Sequence, residues 1–292
     1  MRIRIAFLLL LAPFAPQAHA DTLYAGTLGK HPIHLVLEGY SDGVAIGTYV
    51  YDRHDTPIAL HGQVAGRVAD IVERDGERDV AALHLEAKDD EWTELTGTWT
   101  PAAGGASLPV RLRRQASMDR YRPHAGEPVE LLQGASTPEH YFTVRFAAGQ
   151  GLTGTRAIAV SVYRKRTDEL LQTLEVDADP RGFSGVETGD FNFDGVTDFS
   201  LFEASYAGPN TSSLYFLRDP ATGRYARSRI EGTSLEFDAT AQLVHEHNQC
   251  CMGSSHVNAT YRVVGDALEL VSKRCLRMDE VAEDLVEVPC DE

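Results

Sequence analysis

Between positions 190 and 198 the chain reads Asp190-Phe191-Asn192-Phe193-Asp194-Gly195-Val196-Thr197-Asp198, with oxygen-bearing side chains at the first, third, fifth and ninth places. Gly195 stands sixth, where the backbone must bend, and Val196 follows with a carbonyl to offer. This is the ligand order of a calcium loop of the EF-hand type. Ca2+ is a hard cation that takes roughly six to eight oxygens at about 2.3–2.6 Å. The spacing therefore predicts a metal site made by Asp190, Asn192, Asp194, Val196 (through its carbonyl) and Asp198, with Ca2+ in a structural role. The competing reading is an Asx-turn without an ion, in which three aspartates crowd together with nothing to offset their charge.

The flanks separate this loop from a helical EF-hand. A bidentate glutamate would close the shell at the twelfth position, which here is Leu201. Phe191, Phe193 and Phe199 alternate with the polar ligands, and 197–202 has the period of a strand. The elements that must position the ligands are thus β-strands.

Other constellations are less specific. Ser184 and Ser213 lie in no G-x-S-x-G elbow, and the chain has no H-E-x-x-H, phosphate-binding or dinucleotide glycine motif. Asp89, Asp90, Glu91 and Glu94 surround Trp92 in a way that could suit a glycosidase, yet adjacency in sequence does not set the distance between two carboxylates. An exposed acidic turn is the simpler reading, and the chain is expected to bind rather than catalyse.

Four cysteines lie late, at Cys250, Cys251, Cys275 and Cys290. An even number in an oxidising compartment argues for disulfides. Bonding between adjacent Cys250 and Cys251 would be strained, so each is expected to reach one of Cys275 and Cys290, with the pairing open. His245, His247 and His256 lie nearby, but their spacing matches no structural zinc motif.

Alternation of apolar and polar residues recurs at 33–37, 45–51, 80–86, 108–112, 142–146, 157–163, 214–217 and 261–264. Gly, Asp, Asn and Pro punctuate these runs. Helical periodicity is weak, with 166–174 and 278–286 the closest approaches. The fold class is all-β: a propeller-like array of short antiparallel strands carrying the calcium loop, with room for a separate N-terminal β domain. Residues 21–115 form one set of hairpins, 116–138 a linker or excursion, and 139–292 a unit holding the ion loop and every cysteine.

Residues 1–20 have the layout of a secretory signal peptide. Arg2 and Arg4 precede an apolar run, and Ala18-His19-Ala20 suits cleavage after Ala20. The run is shorter than the roughly 20 residues a membrane span needs, and no later transmembrane segment is expected. A periplasmic location follows. The formal charge is −16, and loss of the leader removes two arginines and no acid. So acidic a surface repels nucleic acid and anionic membranes and favours basic partners.

After the calcium core come Tyr206-Ala207-Gly208-Pro209-Asn210-Thr211, Tyr215-Phe216-Leu217-Arg218-Asp219 and Gly223-Arg224-Tyr225. Near the start stand Tyr24-Ala25-Gly26-Thr27-Leu28-Gly29-Lys30-His31-Pro32-Ile33 and Gly47-Thr48-Tyr49-Val50-Tyr51. Together these segments resemble the periplasmic immunity proteins of xanthomonad type IV secretion systems, over much of the chain. The resemblance implies a propeller-like calcium-binding protein whose partner is a secreted lysozyme-like peptidoglycan hydrolase. It further implies inhibition through a loop presenting an aromatic residue. Tyr206, with Ala207, Gly208, Pro209, Asn210 and Thr211 forming the turn, is the candidate inhibitory loop. Asp21 rather than a cysteine stands directly after the expected cleavage site, which differs from lipid-anchored relatives. The alternative function is an exported calcium-dependent carbohydrate-binding or adhesive module gripping glycans with exposed aromatics such as Trp92.

Overall fold

The period-two runs near the start of the chain become strands that close on themselves. In a computed structural model, which describes residues 20–119, 126–150, 154–279 and 284–290, eight strands form a barrel. They are β1 (Ala20–Leu28), β2 (His31–Gly39), β3 (Val44–Tyr51), β4 (Ile58–Ala65), β5 (Val68–Asp75), β6 (Arg78–Ala87), β7 (Glu94–Pro101) and β8 (Leu108–Asp119). Each pairs with the next, and β8 returns antiparallel to β1, with Ala20 opposite Asp119 and Leu28 opposite Val110. The expected leader covers residues outside those described, apart from Ala20.

Strand β6 shows how the sequence dictates the wall. Ala81, Leu83, Leu85 and Ala87 are buried, while Ala82, His84 and Glu86 between them are exposed. Side chains on a strand alternate sides, so the apolar set meets Leu35, Tyr49, Leu60 and Leu95 inside the barrel. Glycine is required where neighbouring strands crowd. A Cβ on Gly97 would lie 1.8 Å from the His84 carbonyl oxygen on β6. Gly97→Ala is expected to force the two strands apart and cost about 1–3 kcal/mol, read as a fall in the thermal unfolding midpoint. A midpoint equal to that of the parent would refute this.

The rest of the chain is three antiparallel meanders. The first comprises β9 (Val129–Ser136), β10 (His140–Ala148), β11 (Thr155–Arg164) and β12 (Glu169–Ala178); the second, β13 (Val186–Gly189), β14 (Asp198–Ser205), β15 (Thr211–Arg218) and β16 (Tyr225–Arg227). The third has β17 (Leu235–Asp238), β18 (Leu243–Cys250), β19 (Ser255–Val264), β20 (Ala267–Asp279) and β21 (Asp284–Val288). Four- and five-stranded meanders in succession are the organisation of a propeller-like array. The fold is nearly all-β, as the alternation predicts. The two segments with faint helical periodicity are also mostly strand, since β12 begins at Glu169 and β20 and β21 occupy much of 278–286. Within 116–138, residues 116–119 complete β8 and 129–136 are β9.

The first two meanders share a core. Phe142, Val144 and Phe146 of β10 pack with Phe199 and Leu201 of β14 and Phe216 of β15. The rings of Phe199 and Phe216 stack at 4.7 Å between centroids. Aromatic burial of this kind contributes both area and ring–ring attraction. A smaller cluster of Val36, Val50, Leu132 and Phe183 joins the barrel to these sheets. Buried Gln133 adds a polar tie: it donates to the carbonyls of Leu131 and Gly182 and accepts from the amides of Gly185 and Val186. Its amide group is thus satisfied where water is absent.

Candidate functional site

The predicted ion loop joins β13 to β14, and its aromatic residues explain its alternation. Phe191 meets Tyr215 of β15 and Phe237 of β17, with ring centroids 5.0 and 4.9 Å apart. Phe193 reaches the same Phe237. These contacts bind the loop to two sheets. Phe193 and Gly195 both take left-handed backbone conformations, with φ of 60° and 84°. Glycine enters that region without steric cost, whereas phenylalanine does so under strain.

The polar residues of this turn bond one another and its backbone. Asp190 accepts hydrogen bonds from the amides of Asp194 (3.0 Å) and Gly195 (2.8 Å). Asp194 accepts from the Val196 amide (2.8 Å), and the Asn192 side chain donates to the other Asp194 oxygen (2.9 Å). Asp198 differs from these in being fully buried. Its oxygens accept from the amides of Phe191 (3.0 Å) and Arg218 (2.8 Å). Burial pushes its carboxyl up to about 6; those two amides oppose the shift, and the charges of Asp194 and Asp190 reinforce it.

Among the described residues, no three His, Cys, Asp or Glu side chains are gathered into a metal-holding group. Calcium, however, also draws on amide and backbone oxygens, which such a grouping omits. The donor set fits a hard cation, being all oxygen. An ionised carboxylate has about four lone-pair sites, so an amide bond to each oxygen leaves capacity for an ion. Asp194 is exposed.

The candidate inhibitory loop is the β14–β15 turn. Tyr206 is 54% exposed, and Ala207, Gly208 and Pro209 beyond it are exposed as well. Gly208 makes the reversal at φ 73°. The turn is braced at its base: the Tyr206 amide donates to the Asn210 carbonyl (2.9 Å), and the Tyr206 hydroxyl lies 3.1 Å from Ser212 Oγ. Thr211 exchanges hydrogen bonds with Ser234. Asn210 itself is buried. Its amide nitrogen donates to the Gln249 carbonyl (2.8 Å) and to Asn248 Oδ1 (3.1 Å), while its oxygen accepts from the Gln249 amide (3.1 Å). One side chain therefore fastens the turn to β18. Asn210→Ala is expected to cost about 2–4 kcal/mol, since three bonds go and a part-buried peptide loses its partners. Faster amide exchange at Tyr206 and Gln249 would report it; unchanged exchange would deny the tie.

Tyr206 and the ion loop stand at opposite ends of β14. Eight residues at about 3.3 Å each place them roughly 26 Å apart. Direct rigidity at Tyr206 comes from Asn210, and the ion loop acts on the start of the strand. The sequence places Asn210 in the turn but gives no hint of its clasp: its partners are 38 and 39 residues away, and no local spacing marks them. Between these ends, a cleft of about 320 Å³ runs past Tyr206, lined by Glu203, Ser212, Arg227, Glu231 and Thr233.

The cysteine pairing differs from expectation. Cys275 bonds Cys290, whereas Cys250 and Cys251 are free and exposed. Sheet order explains the correction. Cys275 of β20 lies opposite Val288 of β21, within reach of Cys290. Strand β19 separates β18 from β20, so Cys250 is about 10 Å from β20 at two strand spacings. A disulfide cannot span much more than about 7 Å between Cα atoms. The nearby histidines serve the hairpin, with His247 near Asn258 and His256 Nε2 3.0 Å from the Gly253 carbonyl oxygen.

Trp92 is also corrected. It is half-buried against the barrel core, and its carbonyl accepts from the Tyr24 hydroxyl (3.2 Å). A ring packed this way is not displayed for stacking on sugars. Two of the acids around it are engaged in local bonds. Asp89 accepts from the Thr93 amide and hydroxyl, and Glu94 pairs with Lys88 and Arg113, which hold both carboxyls below their usual range.

No helix of the described residues is long and apolar enough to cross a membrane. Comparison with known proteins adds little beyond this. No protein-family model matches the chain, and no curated protein matches it. Among solved structures, a Bacteroides fragilis protein provisionally named a 6-phosphogluconolactonase aligns over 95% of this chain and 96% of its own, at 10% identity and a TM-score of 0.29.

Proposed function

We propose that this chain is a non-catalytic periplasmic inhibitor, an immunity protein that binds a secreted lysozyme-like peptidoglycan hydrolase. The observation that carries the reading is the Tyr206 turn: an exposed aromatic at the base of a short hairpin turn that a buried asparagine holds in place. Inhibiting a concave cleft takes a projection that keeps its shape when unbound, because ordering a loose loop on binding would consume affinity. Tyrosine brings large contact area and a polar tip for little conformational entropy. The charge of −16 would draw in a basic hydrolase and speed encounter. Resemblance of the loop and its surroundings to xanthomonad immunity proteins supports the identity of the target.

Calcium enters as the stabiliser of the 190–198 loop. By the stated donor set, Asp190, Asn192, Asp194, Asp198 and the Val196 carbonyl would hold it, and the ion would offset charge around buried Asp198. The test combines co-purification with any secreted peptidoglycan hydrolase encoded beside its gene and a turbidity assay on cell walls. Loss of lysis at stoichiometric inhibitor is the expected result. Full lysis in the presence of excess protein would reject the pairing. A carbohydrate-binding role has one observation in its favour, the hydroxyl-rich cleft beside Tyr206. Retention of the protein on peptidoglycan fragments alone, without any hydrolase, would favour that second reading.

A further inference from the structure

The two free cysteines form a local arrangement that the rest of the fold does not use. Cys250 ends β18 and Cys251 opens the four-residue turn to β19, where Cys250 lies opposite Ser255. Their Sγ atoms are 2.7 Å apart, approaching the covalent sulfur–sulfur length of about 2.0 Å. Both are exposed, and the remaining cysteines bond each other. Each thiol therefore has its neighbour as its one cysteine partner within the chain. The turn is held in an uncommon shape, with Cys251, Met252 and Gly253 all left-handed at φ of 57°, 56° and 87°. Ser254 secures it by donating from its amide (3.2 Å) and hydroxyl (2.8 Å) to the Cys251 carbonyl.

We propose that Cys250 and Cys251 form a reversible vicinal dithiol–disulfide couple, and that its state is transmitted through Gln249 and Asn210 to the Tyr206 turn. The oxidant is a low-molecular-weight disulfide. One cysteine thiolate attacks it, forming a mixed disulfide and expelling one thiolate. The second cysteine thiolate then attacks the protein sulfur of that mixed bond and expels the other. Two protein thiols are oxidised, one small disulfide is reduced to two thiols, and the two protons pass to the leaving groups.

Strain makes the couple reversible. Adjacent Cα atoms are about 3.8 Å apart across a trans peptide, short of the roughly 4.4–6.8 Å that a relaxed disulfide prefers. Strained, exposed disulfides are more readily reduced than relaxed structural ones. Cys275–Cys290, with Cα atoms 5.2 Å apart, falls inside the relaxed range. The route outward is short. Closing the ring must rotate the bonds flanking the Cys250–Cys251 peptide, and the Gln249 amide and carbonyl, one residue earlier, are the groups that Asn210 clasps.

The test equilibrates the full protein in graded mixtures of reduced and oxidised glutathione, traps thiols by alkylation and counts them by mass spectrometry. Cys250 and Cys251 are expected to lose reactivity together, with no glutathione adduct and no covalent dimer. They should regain it at about tenfold less reductant than opens Cys275–Cys290. Amide exchange at Tyr206 and Gln249 should differ by about fivefold or more between the two states. The Cys250→Ser, Cys251→Ser double variant should show neither response. Stable glutathione adducts, dimers, or two thiols that stay reactive even in fully oxidised glutathione would overturn the couple. A disulfide that forms without altering exchange at Tyr206 would overturn the transmission.

Discussion

Asp198→Ala is expected to lower unfolding stability by about 2–5 kcal/mol, because it removes a buried carboxylate and leaves two part-buried amide donors without their acceptor, at about 1–3 kcal/mol each. Those donors are the amides of Phe191 and Arg218. Their loss frees the entry to β14 and the neighbouring end of β15 together. Denaturant titration without calcium measures this part. A second part concerns the proposed ion: with the parent protein, calcium at a hundred times its dissociation constant should add about 2.7 kcal/mol. That increment should vanish in Asp198→Ala and in Asp194→Ala. Exposed Asp194 makes the cleaner probe of the ion, since without calcium its replacement loses few bonds. If the parent shows no increment while binding no calcium in equilibrium dialysis, the loop is an Asx-turn network and nothing more.

Tyr206→Ala is expected to weaken inhibition by about 2 kcal/mol or more, roughly thirtyfold, as for an aromatic anchor at the centre of an interface. Stability should change by no more than about 0.5 kcal/mol, because the side chain is half exposed and its hydroxyl has one partner, Ser212. Tyr206→Phe separates the polar tip from the ring. A modest loss there with a large loss for alanine would assign the effect to contact area. Equal inhibition by the parent and Tyr206→Ala, each at matched concentration near the dissociation constant, would move the contact surface elsewhere.

Sequence and structure agree where the information is local. Strand β6 is legible because burial alternates residue by residue. The turn at 190–198 is legible because Gly195 and the carboxylates that bond its amides lie within nine positions. What lies between strands was hidden. Barrel closure depends on main-chain bonds between β1 and β8, and every residue carries those groups whatever its side chain. Gly97 gives a trace of such crowding, yet one glycine does not name the strand it faces. The same blindness explains the cysteines: counting them suggested bridges from Cys250 and Cys251, but only the order β18-β19-β20-β21 decides which thiols can meet. Trp92 was misplaced for a related reason, since an acidic neighbourhood looks exposed even when the ring itself turns inward.

Pairing of β1 with β8 has a kinetic consequence. Among the named strands, every other ladder joins consecutive segments, so each hairpin can zip up soon after its own turn forms. The β1–β8 seam instead waits for ends some ninety residues apart to meet, and loop entropy delays such an encounter. Until it seals, two open edges offer unpaired amides and carbonyls to any passing chain. Premature self-association during refolding is thus expected to begin at this seam.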